Sequence, residues 1–158
     1  MPLAARRLDR AWIEQRIPHQ GCMCLLDEVL EWDDRRIVCS STGHRAADHP
    51  LRANGRLGAV CGIELAAQTM AVHGALLAQA SAPRPRAGLL AAVRAVRMRV
   101  LRLDDIESSL LCEVVRVLGD GDTALYEFEL RSSAASLMSG RATVVLDAGR
   151  FPAETTPP

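Results

Sequence analysis

The sequence predicts an α+β domain in which a curled antiparallel sheet of about six strands wraps one long central helix. Two observations carry this. Residues 57–79 form a helical segment whose apolar side chains, from Ala59, Val60 and Cys61 through Met70 and Val72 to Leu76 and Leu77, cover nearly the whole circumference. That is the pattern of a helix buried on all sides. Around it lie short strand-like segments punctuated by turn residues, without the alternation of helix and strand that a doubly wound sheet needs.

Taken in order, Asp9 caps a short helix through Trp12 and Ile13, and Pro18 ends it. Residues 23–32 and 36–41 read as strands joined by turn chemistry at Asp33-Asp34. Residues 44–55, polar and containing Pro50 and Asn54-Gly55, read as a loop feeding the central helix. After a proline-containing loop at 81–86, residues 89–103, 110–118, 124–131 and 137–146 read as four strands, with a hairpin turn at Gly119-Asp120-Gly121-Asp122. Residues 1–148 are thus expected as a single domain and 149–158, rich in Pro and Thr, as a flexible tail. So small a sheet leaves an edge strand and part of its helix uncovered, which predicts a dimer, either homodimeric or with a relative.

Composition removes several classes of function. Nineteen acidic residues cancel nineteen basic ones, so no nucleic-acid partner is expected. Every basic residue is arginine, which excludes a lysine Schiff base. Arg6, Arg7 and Arg10 are not followed by an apolar run, so no secretory signal is expected. Glu64, Gln68 and His73 interrupt the longest apolar stretch, so no membrane helix is expected either. Five cysteines lack framework spacing and point to reduced thiols in the cytoplasm; Cys22-Met23-Cys24 lacks the spacing of a redox or zinc pair, so no metal is expected.

The chemistry concentrates at the start of the central helix. Glu64 lies inside its apolar pattern, where an ionised carboxylate is expensive unless it is paired or meets a ligand. Gln68, one turn on, lies on the same face and is placed to orient it. His73, nine positions after Glu64, falls on the opposite face and reads as structural. His49, in the loop before the helix, is the better catalytic histidine, with His44 its rival. The backbone N–H groups of Leu57, Gly58, Ala59 and Val60 are candidates to hold a developing oxyanion, whereas Cys61 has no evident activating base. An imidazole, a carboxyl and a helix N-terminus suit proton removal beside a carbonyl followed by loss of a hydroxyl, without metal or organic cofactor. Residues 84–103 carry Arg84, Arg86, Arg94, Arg97, Arg99 and Arg102 with no acidic residue, a local positive patch suited to an acidic partner.

Ile17-Pro18-His19-Gln20 followed by Met23-Cys24-Leu25-Leu26-Asp27-Glu28-Val29 resembles the opening of the hotdog-fold 3-hydroxyacyl-carrier-protein dehydratases. Gly62-Ile63-Glu64-Leu65-Ala66-Ala67-Gln68 resembles their central-helix motif. His49-Pro50-Leu51-Arg52, Gly55-Arg56-Leu57 and Cys61-Gly62-Ile63-Glu64 are most similar to the divergent dehydratases of aryl-polyene clusters. The resemblance implies a catalytic His49 and Glu64, a supporting Gln68, a phosphopantetheine-linked substrate on an acyl carrier protein and a second hotdog protein as partner; the positive patch offers Arg97 and Arg99 for docking that carrier protein. The resemblance also implies that the histidine and carboxylate of one site come from different protomers. The usual His-Phe-Pro-Gly loop and Pro-Gly helix start are absent here, and His49 stands fifteen positions before Glu64, one more than usual, so the loop must bulge. A non-catalytic subunit supporting an active partner and an acyl thioesterase are the alternatives.

Overall fold

The structure, a computed structural model, describes residues 7–79 and 88–145. The expected tail and the arginines Arg84 and Arg86 lie outside the described residues. Strand β1 (Leu8–Asp9) leads into helix α1 (Arg10–Glu14), capped as expected by the Asp9 carboxylate, which accepts from Trp12 N–H at 2.9 Å. Strands β2 (Glu28–Trp32) and β3 (Arg36–Ser41) form the first hairpin, with Asp33 Oδ1 accepting from the N–H groups of Arg35 and Arg36 at the turn. Helix α2 (Gly62–Gln79) follows, and then β4 (Leu89–Met98), β5 (Leu110–Gly119), β6 (Thr123–Arg131) and β7 (Ser136–Val145).

Among the described residues seven antiparallel strands form one sheet in the order β1-β2-β3-β5-β6-β7-β4. The strand count exceeds the expectation by the two-residue β1. Alternation along β6 sorts the faces: Ala124, Tyr126, Phe128 and Leu130 are buried towards α2, and the residues between them face outward. A Cβ on Gly62 would lie 2.8 Å from Leu130 Cδ2 and 3.2 Å from Met138 Cε, so the missing side chain lets the first turn of α2 seat on the sheet. By length and mean hydropathy alone, Ala59–Ala78 is long and apolar enough to cross a membrane. It is the core helix of the domain, with 56% of that stretch buried inside the fold.

Three boundaries differ by several residues from the sequence expectation, each because a tertiary bond takes the backbone. Residues 23–27 are not strand: Gly21–Met23 make a single 3-10 turn, the Gln68 amide binds Leu25 N–H and Met23 C=O, and Ser41 Oγ donates to Leu25 C=O. The α-helix starts at Gly62 rather than 57, after a 3-10 turn at Ala59–Cys61. Upstream of that turn, Leu57 C=O accepts from Leu103 N–H and Ala59 N–H donates to Leu101 C=O, a bridge centred on Gly58 and Arg102. Strand β4 stops at Met98 for the same reason and carries a bulge at Ala95, whose φ is 52°. Finally, α2 is not buried on all sides: Glu64, Ala67, Ala71, Gly74 and Ala78 form a half-buried stripe along one face.

Candidate active site

Glu64 sits in the first turn of α2, where the helix dipole favours a carboxylate. Its Oε1 accepts from Gln68 Nε2 at 3.1 Å and lies 3.0 Å from His19 Nε2. Gln68 is fully buried and anchored at both ends of its amide, with Oε1 accepting from Leu25 N–H at 2.9 Å and Nε2 donating to Met23 C=O at 2.7 Å. In the sequence His19 carries no signal beyond its place in the opening motif, forty-five positions before Glu64. The wrap of the chain across α2 brings the two together.

The other histidines separate by environment. His73 is fully buried, with Nδ1 3.1 Å from Tyr126 Oη and Nε2 2.9 Å from Asp33 C=O; burial pushes its pKa down. His44 is also buried, with Nε2 2.8 Å from Ile106 C=O, which makes it the proton donor of that bond. His49 lies in the loop, its Nδ1 accepting from Leu51 N–H at 3.1 Å, so the neutral ring carries its proton on Nε2. Burial lowers its pKa first, His44 and Arg52 add to the effect, and Asp48 opposes them. Among the described residues no hydrogen bond or ion pair joins His49 to Glu64 within the chain.

The oxyanion donors need correction. Leu57 N–H donates to Asp104 Oδ1 at 3.0 Å and Ala59 N–H to Leu101 C=O at 3.0 Å, so two of the four expected donors are occupied. Gly58 and Val60 have no such acceptor among the described residues. Asp104 organises this corner. It accepts from Leu57 N–H, Arg102 and Arg52, and Arg52 also reaches the carbonyls of Ala46 and Gly55. The Arg102 guanidinium, first of these, holds the Asp104 carboxyl well below the usual range. Arg52, standing where the family loop has glycine, thereby ties the His49 loop to the helix entry.

Burial pushes the Cys61 thiol up, and Cys112 up to about 12, against a nucleophilic role for either. No group of three or more His, Cys, Asp or Glu among the described residues is placed to hold a metal ion. Of the positive patch, Arg102 is committed to Asp104, while Arg97 and Arg99 line an outer-face groove together with Glu113, Glu127 and Glu129.

A long helix wrapped by a single curled antiparallel sheet, with a carboxylate in its first turn, defines the class: a hotdog-fold protein. Residues 11–151 match the ApeP-like family, described as ApeP dehydratase. The chain belongs to that family, dehydratases acting in aryl-polyene or fatty-acid-like biosynthesis. Among solved structures it is similar to the dehydratase heterocomplex ApeI:P from Xenorhabdus doucetiae, at 25% identity over 87% of this chain and 92% of that one, TM-score 0.78. The PaaI protein of E. coli, 12% identical over 74% of this chain and 80% of that one with TM-score 0.57, shares the fold. So does a Pseudomonas aeruginosa thioesterase, 14% identical over 74% and 78% of the two chains, TM-score 0.55. A search of the curated proteins finds no match.

Proposed function

We propose that the chain dehydrates a 3-hydroxyacyl thioester, carried on the phosphopantetheine arm of an acyl carrier protein, to the trans-2-enoyl thioester and water. His49 takes the C2 proton, Glu64 protonates the departing hydroxyl through Oε2, and the Gly58 and Val60 N–H groups polarise the thioester carbonyl. The observation that carries this reading is Glu64 itself, a half-exposed carboxylate in the first turn of an apolar helix with one oxygen held and the other without a partner among the described residues. To accept a proton on Nε2, the His49 ring must carry its own proton on Nδ1 and give up the Leu51 N–H bond, which costs about 1 kcal/mol.

The chain works beside a second hotdog protein, as the similar structure's heterocomplex suggests, so that His49 of one protomer completes the site of Glu64 in the other. The half-buried stripe of α2, the unpaired side of β4 and the strongly exposed Leu101 are consistent with that pairing. Arg97 and Arg99 receive the acidic carrier protein. The assembly resides in the cytoplasm, where five unbridged cysteines stay reduced.

The test is turnover of a 3-hydroxyacyl carrier-protein substrate by the assembled protein. His49→Ala and Glu64→Gln should each slow it by about 10²–10⁴-fold. Unchanged rates in both variants would reduce the chain to a supporting subunit, and release of free acid instead of enoyl thioester would make it a thioesterase.

A further inference from the structure

We infer that His19 is a positioning residue for Glu64: with Gln68 it fills the carboxylate's Oε1, leaving Oε2 as the oxygen that exchanges a proton with substrate. This rests on the acid role proposed for Glu64.

The tautomer follows from burial. Nδ1 of His19 is buried with no hydrogen-bond partner. A proton there would be an orphaned donor in the interior, the costlier of the two defects, so the neutral ring carries its proton on Nε2. That N–H faces Glu64 Oε1 at 3.0 Å and donates to it.

The second donor is equally fixed. Leu25 N–H on Gln68 Oε1 and Met23 C=O on Gln68 Nε2 leave the amide a single orientation, and its remaining N–H points at Glu64 Oε1 at 3.1 Å. A carboxylate oxygen has two in-plane lone pairs, so two donors saturate Oε1.

His19 is held in turn by the strap that carries it. Ile17 N–H donates to Ile13 C=O at 3.1 Å, and Gln20 Nε2 reaches back to Ile17 C=O at 3.1 Å, closing the turn around Pro18. The turn around Pro18 therefore acts on the chemistry through the His19 imidazole, which with Gln68 fixes which carboxylate oxygen faces substrate and at what angle.

The experiment measures kcat, KM and thermal midpoint of the assembled dehydratase with His19→Leu, which removes the donor, and His19→Gln, which keeps one. His19→Leu should lower kcat about tenfold to hundredfold, the range for a misplaced reacting group, with KM within about twofold. His19→Gln should recover most of the loss. In a Glu64→Gln background, where the reacting carboxylate is already gone, His19→Leu should add almost nothing.

Wild-type kcat in His19→Leu, or an equal further loss in the Glu64→Gln background, would overturn the inference. So would a fall in thermal midpoint that accounts for the lost activity. An unchanged rate in Glu64→Gln alone would instead remove the acid role itself. Should His19→Leu fail to fold, His19→Asn, too short to reach Oε1, takes its place with the same expected loss.

Discussion

His49 shows how the loop sets the starting state of the proposed base. Burial, the neighbouring His44 and the Arg52 guanidinium all disfavour the imidazolium, and only Asp48 opposes them. A lowered folded-state pKa keeps the ring neutral further into acid, so the proposed base persists below the ordinary histidine range. The acid limb of kcat/KM should therefore have its midpoint below about 6.5, the unperturbed value. A limb at or above that value would contradict the environment described for the ring. Nitrogen-15 spectra give a second reading: at neutral pH His49 should show a protonated Nε2 and a bare Nδ1, because Leu51 N–H occupies the latter. Glu64 and Gln68 were legible in the sequence because four positions on one helix fix their relation without any knowledge of the fold. His19 was not, since only the path of the strap across α2 brings it within 3.0 Å of the carboxylate.

The sequence pattern extends α2 beyond its true entry for a physical reason. Apolar character runs on from Ile63 back through Val60 to Leu57, and local pattern extends the helix with it. The backbone at Leu57 and Ala59 instead pairs with Leu103 and Leu101, a partner more than forty positions away. Asp104 fastens this arrangement by taking the Leu57 N–H and two guanidinium groups. Its carboxyl is held well below the usual range, first by Arg102. A depressed folded-state pKa contributes stability that is present above the unfolded value of about 3.9 and is lost as pH falls towards the folded one. Asp104→Asn should therefore melt lower than wild type between about pH 5 and 8, with the gap narrowing below about pH 4. A gap that stays constant into acid would mean that the side chain's shape, and not its charge, secures the helix entry. Arg52→Ala should also lower kcat, by freeing the His49 loop from Asp104 and from the carbonyls of Ala46 and Gly55.

Across the whole molecule, the sheet order places β4 at one margin, paired among the described residues to β7. On the outer face the central glutamates are ion-paired, Glu113 with Arg36 and Arg131, and Glu127 with Arg141. Glu113 of β5 stands opposite Glu129 of β6, which stands opposite Ser139 of β7 and then Arg97 of β4. The sequence revealed the arginines of β4 but not their acidic neighbours, which come from strands that only the sheet brings alongside. An acidic carrier protein would be drawn to Arg97 and Arg99 at the β4 margin, because the arginines nearer the centre are already committed to glutamates. Replacing Arg97 and Arg99 together with glutamate should slow turnover of carrier-bound substrate about tenfold or more at low salt, since rim charges act mainly on association. A short N-acetylcysteamine thioester, which needs no docking, should be turned over almost as before. Salt discriminates further: screening over a Debye length of about 10 Å at 0.1 M should weaken the wild-type carrier reaction and leave the small-substrate reaction unchanged. Equal losses on both substrates would mean that the two arginines support the fold through contacts such as Arg99 Nη1 to Ser136 Oγ at 3.2 Å. No loss on either would move carrier docking away from this margin of the sheet.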